Sequence, residues 1–90
     1  MIIMTEAAGG YLTAVLDNAN ASEETAIRFV LEGNTLTPQL DNTRPGDETF
    51  DHEGRMVLIL DAQVSQVLDD NTLDIEATEE GPKLILLPFH

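Results

Sequence analysis

Met56-Val57-Leu58-Ile59-Leu60 is an unbroken apolar run between Arg55 and Asp61. Bounded by polar residues and too short for a helix, it predicts a strand covered on both faces and therefore the centre of the core. Around it the remaining hydrophobic residues must supply two covering layers. Leu, Ile, Val and Phe together make 26 of the 90 residues, over a quarter, above the roughly one-fifth below which a charged chain stays disordered. A chain this short buries only about two-thirds of its unfolded surface, and one without cysteine has neither disulfides nor thiolate-bound zinc. A homodimer is thus the expected way to bury more.

The flanking segments read as short alternating elements. Thr5 is an N-cap, and Ala8, Leu12, Val15 and Leu16 form one face of a first helix over Glu6 to Asp17. Gly9-Gly10 inside it costs about 1 kcal/mol per glycine relative to alanine, which predicts fraying unless something packs close to the backbone. Ile27, Phe29 and Leu31 alternate with Arg28, Val30 and Glu32 as in a half-buried strand. Gly33-Asn34 turns the chain, and Thr35 to Leu40 returns, with Pro38 confining that strand to an edge or a bulge. Arg44-Pro45-Gly46-Asp47 is a turn, Glu48 to Asp51 a short strand, and His52-Glu53-Gly54 its closure. Asp61 caps a short helix whose shared face is Val64, Val67 and Leu68. Leu73, Ile75 and Ala77 alternate with Asp74, Glu76 and Thr78, and a turn at Glu79-Glu80-Gly81-Pro82 leads into a last strand over Lys83 to Leu87, before Pro88-Phe89-His90. Residues 1–90 read as a single domain with no linker or internal repeat.

Charge removes several functions. Seventeen Asp and Glu stand against four Lys and Arg, a formal net charge of −13. No basic patch exists to neutralise phosphates, and the net charge repels nucleic acid and anionic lipid. No apolar run approaches the roughly 20 residues of a membrane span. Met1-Ile2-Ile3-Met4 has no basic flank and meets Glu6 almost at once, unlike a signal peptide, so the expected location is cytoplasmic.

Reactive side chains are few. Asp47, Asp51, His52 and Glu53, with Glu48, crowd carboxylates and an imidazole into one segment. In a strand, Asp47, Asp51 and Glu53 point one way and Glu48 and His52 the other, which splits the group. The segment reads as a solvated turn, with Asp47, Asp51, His52 and Glu53 the candidates for a weak metal site; neither the EF-hand pattern nor another dense Asp/Asn/Gly loop occurs. His52 and His90 are the two imidazoles and read as surface residues. Ser22 and Ser65 lack a nucleophile elbow or triad, and Lys83 opens a strand rather than a phosphate-binding helix, so no catalytic and no cofactor-binding residue is assigned.

Taken in order, Thr5-Glu6-Ala7-Ala8, Ile27-Arg28-Phe29-Val30 with Gly33, Arg44-Pro45-Gly46-Asp47-Glu48-Thr49-Phe50, His52-Glu53-Gly54, Met56 to Asp61, Leu68-Asp69-Asp70-Asn71-Thr72-Leu73-Asp74 and Gly81 before an apolar strand resemble the HesB-like domain. That is the fold of the A-type iron–sulfur carriers. The resemblance implies a mixed β fold with short helices, a HesB-like pseudobarrel of two small sheets in a sandwich closed by helices. It also implies three cysteine ligands, one in the hairpin after the second strand and two in a C-x-C tail. Here the hairpin reads Gly33-Asn34-Thr35-Leu36-Thr37-Pro38, with Leu36 near the place of the first thiol and the following strand shortened before Asp41, and the chain reaches His90 without the tail. Thiolates are the soft ligands a cluster requires, and neither Leu36 nor Thr35 replaces them, so no cofactor is expected.

The expected function is therefore binding rather than catalysis: a degenerate HesB-like scaffold whose acidic surface contacts another protein, a basic one being favoured at low salt. The alternative is a weak iron carrier using carboxylates and His52, or cysteines supplied by a partner; a small enzyme built on an Asp–His pair is more remote. The expected core is Ile27, Phe29, Leu31, Met56, Leu58, Leu60, Leu73, Ile75, Leu84 and Leu86.

Overall fold

The computed structural model describes residues 2–33 and 35–88, and the side chain of Pro88 is outside the description. The expectations for Met1, for Asn34 in the first hairpin turn, and for Phe89 and His90 lie outside the described residues. Val57, Leu58, Ile59 and Leu60 are each fully buried, as an apolar run covered on both faces requires. They belong to strand β5 (Arg55–Leu60), which lies between β2 (Thr25–Glu32) and β4 (Glu48–His52). With β3 (Thr35–Asn42) outside β2, this sheet has the order β3-β2-β5-β4. β2 and β5 run parallel, with Ile27 opposite Leu58; the two outer pairings are antiparallel.

The second sheet has the order β1-β6-β7, from β1 (Ile3–Met4), β6 (Asn71–Thr78) and β7 (Gly81–Pro88). β1 pairs parallel with β6, placing Met4 opposite Leu73. Sequence patterning did not show this strand, because two residues carry no period. Helix α1 (Glu6–Asn18) follows at once and packs against β2, β4 and β5 of one sheet and β6 of the other. Its cap also ties the helix to the second sheet. Thr5 Oγ1 accepts from the Ala8 N–H at 3.1 Å and donates to Asp74 Oδ1 on β6 at 2.9 Å. The buried face is Ala8, Gly9, Leu12 and Leu16, the positions that a 3.6-residue period brings onto one side.

The expected fraying of α1 at Gly9-Gly10 does not occur. The helix is unbroken, and a Cβ built on Gly9 would lie 2.7 Å from His52 Cγ, 3.0 Å from its Cβ and closer still to Nδ1. Gly9 is where β4 approaches the helix backbone, and any side chain there would meet the imidazole.

Several finer expectations are corrected as well. Leu86 is 37 % exposed rather than a core residue, on a β7 that is an edge strand among the described residues. Leu31, Ile75 and Leu84 are half-buried at the margin of the core, and Met56, near the start of β5, is half-buried away from it. Val67 is exposed, because only Val64 and Leu68, one helical turn apart, face inward from α2 (Ala62–Val67). β3 is not shortened before Asp41 but runs on to Asn42, pairing with β2 along its whole length with Pro38 on the sheet edge. α2 is capped as expected, Asp61 Oδ1 accepting from Val64 N–H at 2.8 Å.

Candidate functional site

Leu36, near the position at which the resemblance would place a ligand, lies opposite Leu31 in the β2–β3 register and packs on the core. It lines a groove of about 350 Å³ together with Tyr11 of α1, Phe29 and Pro38 of the first hairpin, and Leu73, Leu84 and Leu86 of the second sheet. The lining is hydrocarbon and aromatic, and its one charged residue is Lys83. Its polar side-chain atoms are the Tyr11 hydroxyl and the Lys83 amine, and no thiolate is available because the chain contains no cysteine. Its chemistry is that of burying apolar side chains.

The acidic segment is dispersed by the fold. Asp47 lies in the turn before β4 and is directed to Arg28. Along β4 exposure alternates, so Glu48, Phe50 and His52 are half-buried and Thr49 and Asp51 exposed, with a register shift between Phe50 and Asp51. Glu53 sits in the following turn with φ +52° and is exposed. Asp51 and Glu53 border a polar hollow of about 610 Å³ with Glu23 and Arg55, while His52 faces Gly9. Among the described residues no three His, Asp or Glu side chains come together as a group that could hold a metal ion. His52 is thus not the surface residue its polar setting suggested; its ring packs on α1. Ser65 donates to Glu48 Oε2 at 2.6 Å, and Ser22 shares a hydrogen bond with Thr25; among the described residues neither serine is bonded to an imidazole.

A polar cluster centred on Arg28, with four hydrogen bonds from one guanidinium, was not apparent from sequence. Arg28, assigned by alternation to the solvent side of β2, is only 5 % exposed. Its guanidinium donates from Nε to Asp41 Oδ2 at 2.8 Å, from Nη1 to Asp47 Oδ1 at 3.1 Å and from Nη2 to Asp47 Oδ2, a two-pronged grip, with a further bond to the Asn42 carbonyl. The Arg28 hydrogen bonds hold the Asp47 carboxyl below its ordinary range against the opposing effect of burial, helped by the Arg44 N–H. Asp41 is lowered first by the Asn42 N–H and then by Arg28 and Arg44. Arg28 is raised by Asp47 in turn. The cluster pins the end of β3 and the turn before β4 onto β2, a structural role, and each of its charges has a partner. The one signal available in sequence was an Arg in a β-strand facing a segment with two Asp, which alternation alone cannot place.

Arg55 makes a second, more exposed link from β5 to the end of α1, donating to Asp17 Oδ1 at 2.8 Å and to the Ala21 carbonyl. Its buried Nε has no partner.

No family model matches the sequence, and no curated protein matches it. Solved structures do. Escherichia coli SufA, involved in biosynthesis of iron–sulfur clusters, superposes with a TM-score of 0.70 at 17 % identity, covering 97 % of this chain and 84 % of that one. IscA with its [2Fe-2S] cluster superposes with a TM-score of 0.67 at 16 % identity, covering 98 % and 85 %. The fold is thus the one the HesB-like resemblance implied, two small mixed sheets with two short helices, over nearly the full length. At this identity the likeness establishes the fold alone. No helix of the described residues is long and apolar enough to cross a membrane.

Proposed function

We propose that this chain is a non-catalytic binding protein that has the scaffold of the iron–sulfur carriers without their cluster chemistry, and that it engages a basic protein partner through its acidic surface. The observation that carries this reading is Leu36 in its apolar groove. Where the resemblance implies a thiolate, a leucine packs beside Phe29 and Tyr11. A cluster needs soft thiolate ligands, and the chain has none. What remains available for recognition is a surface of formal charge −13, which raises the rate of encounter with a cationic partner and does so most at low salt.

Two measurements test this. Anaerobic incubation with ferrous iron and sulfide, followed by desalting, should return a colourless, metal-free protein that still melts cooperatively. Retained iron that is lost in His52→Ala or Asp51→Asn would overturn the reading in favour of a carrier with oxygen and imidazole ligands. In parallel, immobilised protein should retain a cationic peptide at low salt and release it as ionic strength rises through the physiological range, where the screening length falls to about 8 Å. Retention independent of salt would refute the electrostatic part.

A further inference from the structure

The four sheet edges are not equally protected. β1 is two residues long, β3 carries Pro38 in its middle, and β4 is short, irregular in register and bears the exposed Asp51. These are the devices that keep strand edges from pairing with another chain: brevity, proline, bulges and charge. β7 is different. Its prolines, Pro82 and Pro88, stand near its two ends and its one charge is Lys83, while Leu84-Ile85-Leu86-Leu87 run with a continuous register to β6 and no bulge, Leu86 and Leu87 being 37 % and 43 % exposed. Among the described residues no backbone hydrogen bond joins β7 to any element but β6.

This open edge borders the apolar groove. Leu84 and Leu86 of β7 stand opposite Ile75 and Leu73, and Leu73, Leu84 and Leu86 are part of the groove lining that continues to Phe29, Leu36 and Tyr11. A strand added along β7 would therefore point alternate side chains into the groove. Its intervening residues would lie beside Lys83, Ile85 and Leu87, of which Lys83 and Ile85 also contribute to the groove lining; the three stand opposite Glu76, Asp74 and Thr72. An added strand lies about 10 Å from β6, the width of two strand spacings, within a lysine or arginine's reach plus one screening length of Asp74 and Glu76.

We propose that the β7 edge and its groove take up an extended segment of a basic partner protein by strand addition, with apolar residues at alternate positions facing the groove and Lys or Arg between them. Main-chain hydrogen bonds would supply affinity, and the groove the side-chain preference. The proposal deepens the binding function above and rests on it. Charge selects this occupant over a second copy of the chain, because each copy brings −13 to the contact whereas a cationic strand neutralises it.

The test uses the full chain and fluorescent peptides matched in length to β7. One alternates Val and Lys; the other has the same composition with its valines and lysines in separate blocks. The alternating peptide should bind about tenfold tighter than the blocked one and slow amide hydrogen exchange along Lys83 to Leu87. Leu86→Lys should weaken it about tenfold while keeping a cooperative melt. Leu40→Lys, the same charge change at an exposed site on β3, should leave the preference intact. Equal, salt-dependent binding of both peptides without protection of β7 would overturn strand addition and leave charge-driven capture standing. No binding of either peptide at low salt would overturn both. A dimer in sedimentation whose β7 amides are protected without peptide, and which Leu86→Lys dissociates, would show a second copy as the occupant and also overturn the proposal.

Discussion

Replacing Gly9 with alanine sets helix propensity against packing, and the structure decides the sign. In an exposed helix interior, Gly→Ala stabilises by about 1 kcal/mol. At Gly9 the added methyl would sit 2.7 Å from His52 Cγ and 3.0 Å from its Cβ, atoms near the root of the side chain that cannot swing away without moving β4. Overpacking of this kind costs about 1–3 kcal/mol. With the upper part of that range apt for overlap with several ring atoms, Gly9→Ala should be destabilising by about 1–2 kcal/mol net. Gly10 supplies the control in the same turn. Its nearest neighbour would be 4.0 Å away, so Gly10→Ala should raise stability by about 1 kcal/mol. Urea denaturation of the two variants should thus separate them by about 2–3 kcal/mol, and their melting temperatures by some 10 °C or more for a domain of this size. In a His52→Ala background the clash reduces to a single Cβ contact, and Gly9→Ala should change sign to mildly stabilising. A coupling of about 2 kcal/mol in this double-mutant cycle is the signature of direct contact. If Gly9→Ala proves as stabilising as Gly10→Ala, the close approach of β4 to α1 is refuted.

Asp47→Asn should destabilise by about 2 kcal/mol, since it removes the two-pronged partner of a buried guanidinium, whereas Asp17→Asn, on an exposed carboxylate, should cost less than about 1 kcal/mol. Because Asp47 and Asp41 are held below their ordinary range, their contribution is fully present above the unfolded carboxylate value near 3.9 and is lost as pH falls below it. The acid limb of stability below about pH 4 should therefore be shallower in Asp47→Asn, as read by melting temperature against pH. Leu58→Asp places an uncompensated carboxylate at a fully buried position of β5, a penalty of several kcal/mol against a total of about 5–10, and should abolish the cooperative melt seen by circular dichroism. Thr5→Ala removes both the cap to Ala8 and the link to Asp74 and should lower stability by about 1–2 kcal/mol in urea denaturation.

Among the described residues, periodicity and punctuation alone located both helices, their caps at Thr5 and Asp61, and six of the seven strands, because these are local matters. Each depends on a few neighbouring residues, and the apolar run at Met56 to Leu60 forces burial whatever surrounds it. The ordered series of turns and strands was enough to point to the HesB-like fold, and the composition showed before any geometry was known that the chain has no thiolate ligand of its own. Boundaries such as the end of β3 were less legible, since pairing with all of β2 extends a strand beyond its own propensity.

What only the tertiary structure decided are the relations between residues distant in the chain. Alternation put Arg28 in solvent, but Asp41 and Asp47 converge on it from two other segments and make burial of its charge tolerable. Gly9 read as a weak point of a helix until His52, brought against it from β4, showed why a side chain is excluded. The groove has the same origin: Leu36, Tyr11 and Leu86 share no pattern in sequence and meet because edge strands of two sheets come to lie beside one helix. Hydrophobic periodicity reports which side of an element is covered, whereas what covers it depends on long-range contacts that no window along the chain contains.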